Sequence, residues 1–263
     1  MVLIGKISRG SKMDQVYISK ERAPGFEVGA TVLIQPVVEK AKPALYYYGI
    51  KHLEPVKVAI IEDVFNYLKH ADNVIVTGSF IEEGFDFEDI DVIVVTEERI
   101  GSKSIENHFK TALGVKVHVI ALNFKTLLKG ISTDPLFQML TSKFVSRERT
   151  IFKTKNMINY KLLDLHLLKS ELLITNFYFL TGREKYKFVR NLFAIILFLD
   201  EKTISSESVD NEINRCFGKN SVRNIKENLA GKRFLAKYKK LYENTFRRIM
   251  KRVKNDPKQK QTD

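Results

Sequence analysis

Two apolar runs flanking an acidic loop constrain this chain more than any other feature. Asn73-Val74-Ile75-Val76-Thr77 ends in Gly78-Ser79, and after nine intervening residues Asp89-Ile90-Asp91 leads into Val92-Ile93-Val94-Val95. Short β-branched runs bounded by glycine predict buried strands, here Asn73–Thr77 and Asp91–Val95. Carboxylates one residue apart on a strand share a face, with Cα atoms about 6.6 Å apart at ~3.3 Å rise per residue. Unpaired, they repel and raise each other's pKa. A divalent cation relieves that repulsion. Hard oxygen ligands suit Mg²⁺, which keeps waters and completes its shell with substrate phosphates. Glycine lets backbone approach a phosphate closely, and the Ser79 hydroxyl donates to its oxygens. The segment therefore offers a phosphate cradle, Gly78 and Ser79, beside a metal platform, Asp89 and Asp91.

Charge is divided along the chain. Phe80 to Glu98 holds eight Asp/Glu and no Lys or Arg, whereas Lys219 to the end holds 15 Lys/Arg against four acids, a net of +11. The whole chain carries 44 Lys+Arg against 31 Asp+Glu, net +13, so most of the surplus sits in that last segment. Such a balance favours an anionic partner, nucleic acid before a membrane surface. The single cysteine, Cys216, excludes an intrachain disulfide and a cysteine-based zinc cluster. The run Phe193–Leu199 is far shorter than the roughly 20 apolar residues of a membrane span. The N-terminus shows no basic leader before a long apolar region. The expectation is a cytoplasmic protein with no membrane partner.

Around the central motif, residues 1–40 read as β structure: Val2–Ile4, Gln15–Ile18 and Thr31–Ile34 are β-prone runs between glycines and prolines. Val56–Leu68 has a helical apolar rhythm, Val115–Ile120 reads as a third strand, and Phe124–Lys129 and Pro135–Phe144 read as helices. Beyond Lys153 the strand signal fades. Tyr160–Ile174 and Tyr186–Leu199 are apolar helices, and Lys232–Lys254 is a longer basic one. The predicted fold class is α/β (α+β). It comprises a β-rich N-terminal segment (1–45), a small mixed-sheet domain (46–153) and an all-helical basic C-terminal region (154–263). Leu162–Leu173 and Phe193–Leu199 are expected in the core or at a subunit interface, so a dimer is open.

The stretch Val56–Phe152 resembles the polymerase-β-like nucleotidyltransferase superfamily, in its minimal form. That family's signature is Gly-Ser, a short loop, then Asp-hydrophobic-Asp at a strand start. Gly78, Ser79, Gly84, Asp89 and Asp91 match it. The resemblance implies transfer of a nucleoside monophosphate from an NTP or dNTP to an acceptor hydroxyl, with Asp89 and Asp91 holding Mg²⁺ or its alternative Mn²⁺. The chain departs from the pattern at the third carboxylate. The corresponding strand, Val115-Lys116-Val117-His118-Val119, offers Lys116 or His118 there. Three outcomes stay open: one fully held metal, entry of another acid such as Asp86, or lapsed activity.

The basic helix suggests the acceptor. Lys237, Lys239, Lys240, Arg247, Arg248, Lys251 and Arg252, with Tyr238, Tyr242 and Phe246 interleaved, suit contact with nucleic acid, whose 3′ end would then be the acceptor. Transfer onto a protein or onto a small hydroxylated molecule uses the same site, as in toxin or antibiotic-modifying members of the superfamily. A nucleic-acid-binding regulator without catalysis is the alternative from another class. The N-terminal run Val16–Glu21 also faintly resembles the swapped-hairpin DNA-binding domain of AbrB-like regulators, beside the simpler reading of an ordinary small β-domain.

Overall fold

The computed structural model describes residues 6–17, 20–21, 24–32, 43–152 and 155–255. The chain divides into two compact units, Met1–Ala41 and Lys42–Asp263. In the first, β1 (Lys6–Ser8) and β2 (Gln15–Tyr17) form an antiparallel ribbon that pairs Ile7 with Val16. β2 covers the expected Gln15 run as far as Tyr17. Val2–Ile4 and Ile18 lie outside the described residues, as do Leu33 and Ile34, and Thr31 and Val32 are not in a strand.

The second unit is mixed α+β, with its sheet in the N-terminal half and helices following. The sheet is built from β3 (Tyr46–Tyr48), β4 (Asn73–Thr77), β5 (Asp89–Val95), β6 (Lys116–Leu122) and β7 (Phe144–Ser146), in the order β3-β7-β4-β5-β6. All neighbours run antiparallel except β5 and β6, which are parallel and joined through α2 (Ser102–Leu113). That crossover ends at Gly114, whose φ of +67° closes the helix in the left-handed conformation favoured by glycine.

Period-2 alternation sorts each central strand between two apolar cores. Val74, Val76, Ile90, Val92, Val94, Val117 and Val119 pack against α1 (Pro55–Tyr67) and α2 through Ile61, Val64, Phe65, Ile105 and Phe109. On the opposite face Ile75, Ile93, Val95 and Phe144 meet Leu127 and Ile131 of α3 (Phe124–Thr133). Asp89 and Asp91 belong by parity to this second face, at the end of β5 that precedes its apolar residues. The acids therefore stand where α3 no longer covers the sheet.

The stretch expected as one helix over Pro135–Phe144 is divided. α4 (Pro135–Leu140) starts at the Asp134 N-cap, whose carboxylate accepts from the Leu136 and Phe137 amides, and ends at Thr141. Phe144 then opens β7, which fills the sheet between β3 and β4.

Five helices follow. α5 (Tyr160–Asn176), α6 (Gly182–Leu199), α7 (Ser206–Phe217), α8 (Ser221–Lys226) and α9 (Lys232–Asn255) enclose a core of Leu163, Leu167, Leu173, Val189, Leu192, Phe193 and neighbours. α6 is apolar without interruption from Leu192 to Leu199 and central to that core. It begins four residues before the predicted start, at a capping box in which Thr181 and Glu184 exchange side-chain and backbone hydrogen bonds. Its first residue is clamped, since a Cβ on Gly182 would lie 2.1 Å from the Lys226 carbonyl oxygen on α8. Among the described residues, no helix is long and apolar enough to cross a membrane.

Candidate active site

The bend after β4 and the start of β5 meet because Thr77 pairs with Asp91 across the antiparallel ladder. Thr77 is buried, and its hydroxyl donates to the carbonyls of Lys143 (2.9 Å) and Leu140, which pins the strand end. Gly78 follows with φ +83° and ψ −159°, a backbone conformation that is close to glycine-only. A Cβ there would lie 2.2 Å from Asp91 Oδ2. Glycine is thus required twice, by backbone conformation and because the Asp91 carboxylate lies against it. Ser79, exposed, opens a single 3₁₀ turn, Ser79–Ile81.

The loop from this turn to Asp89 is anchored from α1. Lys57 is fully buried. It donates to the Glu82 carbonyl, pairs with Glu54 at 2.9 Å, and its ammonium lies 5.3 to 5.9 Å from the ring centroids of Phe80, Phe85 and Phe87. Glu54 also accepts from the Gly84 amide at 2.7 Å. Hydrogen bonding to Lys57, with the backbone donors behind it, holds the Glu54 carboxyl down at about 2. Gly84, the second glycine of the motif match, is therefore tied to the start of α1.

The parallel register of β5 and β6 sets Lys116 beside Asp89 and His118 beside Asp91. Both positions open for the third carboxylate thus face the acid pair on one side of the sheet. His118 Nδ1 lies 3.2 Å from Asp91 Oδ1, and Lys116 Nζ lies 3.9 Å from Asp89 Oδ2. The lysine side chain is 75% exposed, so its pairing is loose and well screened. Burial raises the Asp91 pKa and the Asp89 charge adds to it, outweighing the opposing His118 and Arg190 contributions.

Asp86 does not complete the set. It is highly exposed and paired with Arg183 of α6 at 2.8 Å, while the same guanidinium reaches Glu88 at 3.2 Å. Among the described residues, no group of three or more His, Cys, Asp or Glu side chains forms a metal site. The two carboxylates present do fit a single divalent cation. They share a face at partial exposure, and Asp91 carries a negative charge that its surroundings disfavour. Water and substrate oxygens ordinarily supply the remaining Mg²⁺ positions.

The basic residues of α9 fall into two sets. Lys237 donates to the Cys216 carbonyl, Arg247 to Asn244 at 2.8 Å, Arg248 to Asp200 at 2.5 Å and Arg252 to the Leu199 carbonyl at 2.8 Å. Lys237, Arg248 and Arg252 thereby tie α9 to the ends of α7 and α6, whereas Arg247 bonds only within α9. Lys239, Lys240 and Lys251 are exposed, and no salt bridge or side-chain hydrogen bond engages them among the described residues. Tyr238 reaches the Phe188 carbonyl and Arg252 the Leu199 carbonyl, so α9 runs in the same direction as α6. Arg252 accordingly lies about 24 Å along α6 from Arg183, at 1.5 Å per residue.

The sequence reading missed Arg183, which α6 brings against Asp86 and Glu88 in the loop leading into Asp89. The signal was present in Thr181-x-x-Glu184, a capping box that starts the helix ahead of its apolar rhythm. No protein-family model matches the chain, and neither does any curated protein or solved structure.

Proposed function

We propose that the chain is a metal-dependent nucleotidyltransferase that moves a nucleoside monophosphate from an NTP or dNTP to an acceptor hydroxyl, releasing pyrophosphate. The observation that carries this reading is the seating of the Asp91 carboxylate on Gly78, which joins the Gly-Ser bend and the Asp-x-Asp pair into one surface.

In the reaction, the acceptor oxygen bonds to the α-phosphorus as the bond from that phosphorus to the pyrophosphate bridging oxygen breaks. Asp89 and Asp91 would hold Mg²⁺, which neutralises charge developing on the phosphate oxygens. The Ser79 hydroxyl and the backbone freed by Gly78 receive the outgoing pyrophosphate end. The His118 Nε2, on the side of the ring away from Asp91, accepts the acceptor hydroxyl's proton. Asp91 orients that imidazole through Nδ1. Lys116 offsets phosphate charge at the rim.

The exposed Lys239, Lys240 and Lys251 favour nucleic acid as the acceptor, its 3′ end at Asp91 and its upstream backbone along α9. A second reading rests on Lys116 and His118 occupying the third-carboxylate positions: a nucleic-acid-binding regulator that keeps the fold without catalysis.

Incubation with each α-labelled NTP and dNTP, with DNA, RNA or no added acceptor, tests the assignment. Labelled acceptor is expected with wild type and none with Asp89→Asn/Asp91→Asn. Undiminished transfer by the double variant would overturn the assignment. Nucleic-acid binding with neither transfer nor metal-dependent triphosphate binding would favour the regulator.

A further inference from the structure

We propose that the outward face of α5 is a homodimer interface, on which the same helix of a second copy lies alongside and runs in the same direction. The surface is separate from the acid pair and does not depend on the activity proposed for it.

α5 is apolar on two faces. One, with Leu163, Leu167 and Leu173, is spent on the core of the helical region, where His166 and Ser170 are buried beside them. The other holds Leu165, Leu168 and Leu172, which are 48%, 53% and 45% exposed. Scattered apolar residues are ordinary on a surface, but these fall at spacings of three and four, the rhythm of a single stripe along one helix face. Thr175 continues the stripe, and Phe179, 89% exposed, stands in the turn beyond the helix end.

The spacing is that of a heptad. With Leu165 and Leu172 at position a, Leu168 and Thr175 fall at d. The buried His166, Leu167 and Ser170 then fall at b, c and f, the side turned away from a partner. The flanking positions carry opposite charge, Asp164 at g and Lys169 at e. In a parallel pair the g residue of one helix meets the e residue of the next heptad in its partner. Asp164 therefore faces Lys169 of the second copy, twice, about the two-fold axis. In an antiparallel pair g meets g, and Asp164 and Glu171 would face acids. Asp164 and Lys169 are both exposed, and neither enters a salt bridge or side-chain hydrogen bond among the described residues.

The same charges speak against other occupants. α5 exposes two cations, Lys161 and Lys169, and two anions, Asp164 and Glu171, so this face offers no net charge to nucleic acid or to an anionic membrane surface. Lys161, one heptad before Leu168, ends the stripe at its start. So short a seam falls below a standard interface of about 800 Å² per partner, and the dimer is expected to dissociate on dilution.

Sedimentation velocity of the full chain over about a hundredfold range of concentration measures the association. Wild type is expected to pass reversibly from monomer to dimer. Leu168→Glu, with its melting temperature checked, is expected to stay monomeric. Asp164→Lys and Lys169→Asp each turn two attractions into two repulsions and are expected to weaken dimerisation about 5- to 30-fold, whereas the two together should restore it to within about twofold of wild type. Both sites are exposed, so the reversals test the proposal even where Leu168→Glu fails to fold. Dimerisation of Leu168→Glu like wild type, single reversals without effect, or a double reversal no better than the singles would overturn it. A dimer strengthened by Asp164→Lys would mark an antiparallel pair, and a wild type monomeric at every concentration would leave the stripe to a different protein; either result also overturns the proposal.

Discussion

Replacing Gly78 with alanine tests the bend on which the site depends. Two costs can be separated. The backbone at φ +83° and ψ −159° lies in a region that costs an ordinary residue about 1–3 kcal/mol. The added methyl would also sit 2.2 Å from Asp91 Oδ2 and 3.1 Å from its Cγ, so the carboxylate must retreat by roughly 1 Å to regain ordinary contact distance. That movement breaks the 3.2 Å hydrogen bond to His118, which at 55% side-chain exposure is worth no more than about 1 kcal/mol.

The sum is about 2–4 kcal/mol. For a folded unit of this size, at roughly 2–4 °C per kcal/mol, the melting temperature should fall by about 5–15 °C in metal-free buffer. Label transfer should fall about 100-fold, the usual consequence of a 1 Å misplacement of a reacting group. A double-mutant cycle isolates the contact. On an Asp91→Ala background the clash is gone, so Gly78→Ala should cost only its backbone part there. Equal costs on both backgrounds, or a Gly78→Ala protein that melts with wild type, would refute the seating of Asp91 on Gly78.

Two further outcomes follow from the same geometry. The Asp91 pKa is raised above its ordinary 3.8, so the ionised carboxylate opposes folding. That cost is fully present above the folded pKa and vanishes as pH falls below the unfolded one. Asp91→Asn should therefore raise the metal-free melting temperature at pH 7, with the gain shrinking on acidification toward about pH 4; a gain that grows with acid would contradict the sign. On α9, changing Lys239, Lys240 and Lys251 together to alanine should reduce the slope of log affinity against log salt for a single-stranded oligonucleotide by about 2, at ~0.7 per phosphate contact. An unaltered slope would remove that helix from the acceptor track.

How much was legible in the sequence depended on whether the governing contact was local. Asn73–Thr77 and the β5 run declared themselves because unbroken β-branched residues have few alternatives, and Gly78 because its neighbours are its own strand end. β7 did not. Phe144 falls four residues after Leu140 and continues a helical rhythm, and only pairing with β4, some seventy residues earlier, makes it a strand. β3 is three residues long, too short to show alternation. The choice between Lys116 and His118 could not be made from the sequence because it is set by the parallel register of β5 and β6, which faces both residues onto the acids. The basic helix misled by composition. Charge alone does not separate lysines exposed to solvent from arginines spent on Asp200 and the Leu199 carbonyl.

The missing third carboxylate is best understood through the charge of the whole face. Asp89 and Asp91 contribute two negative charges; Lys116 contributes a positive one 3.9 Å from Asp89, and His118 lies against Asp91. A third acid would leave this face negative and demand more metal. With bases in its place, a single divalent cation already makes the face positive, and an anionic ligand must restore the balance. A triphosphate would do so, its phosphate oxygens meeting donors on the Gly78-Ser79 bend and β6. On the nucleotidyltransferase reading, then, substituting Lys116 and His118 for an acid moves the work of neutralising phosphate from a second metal to the protein's own cations.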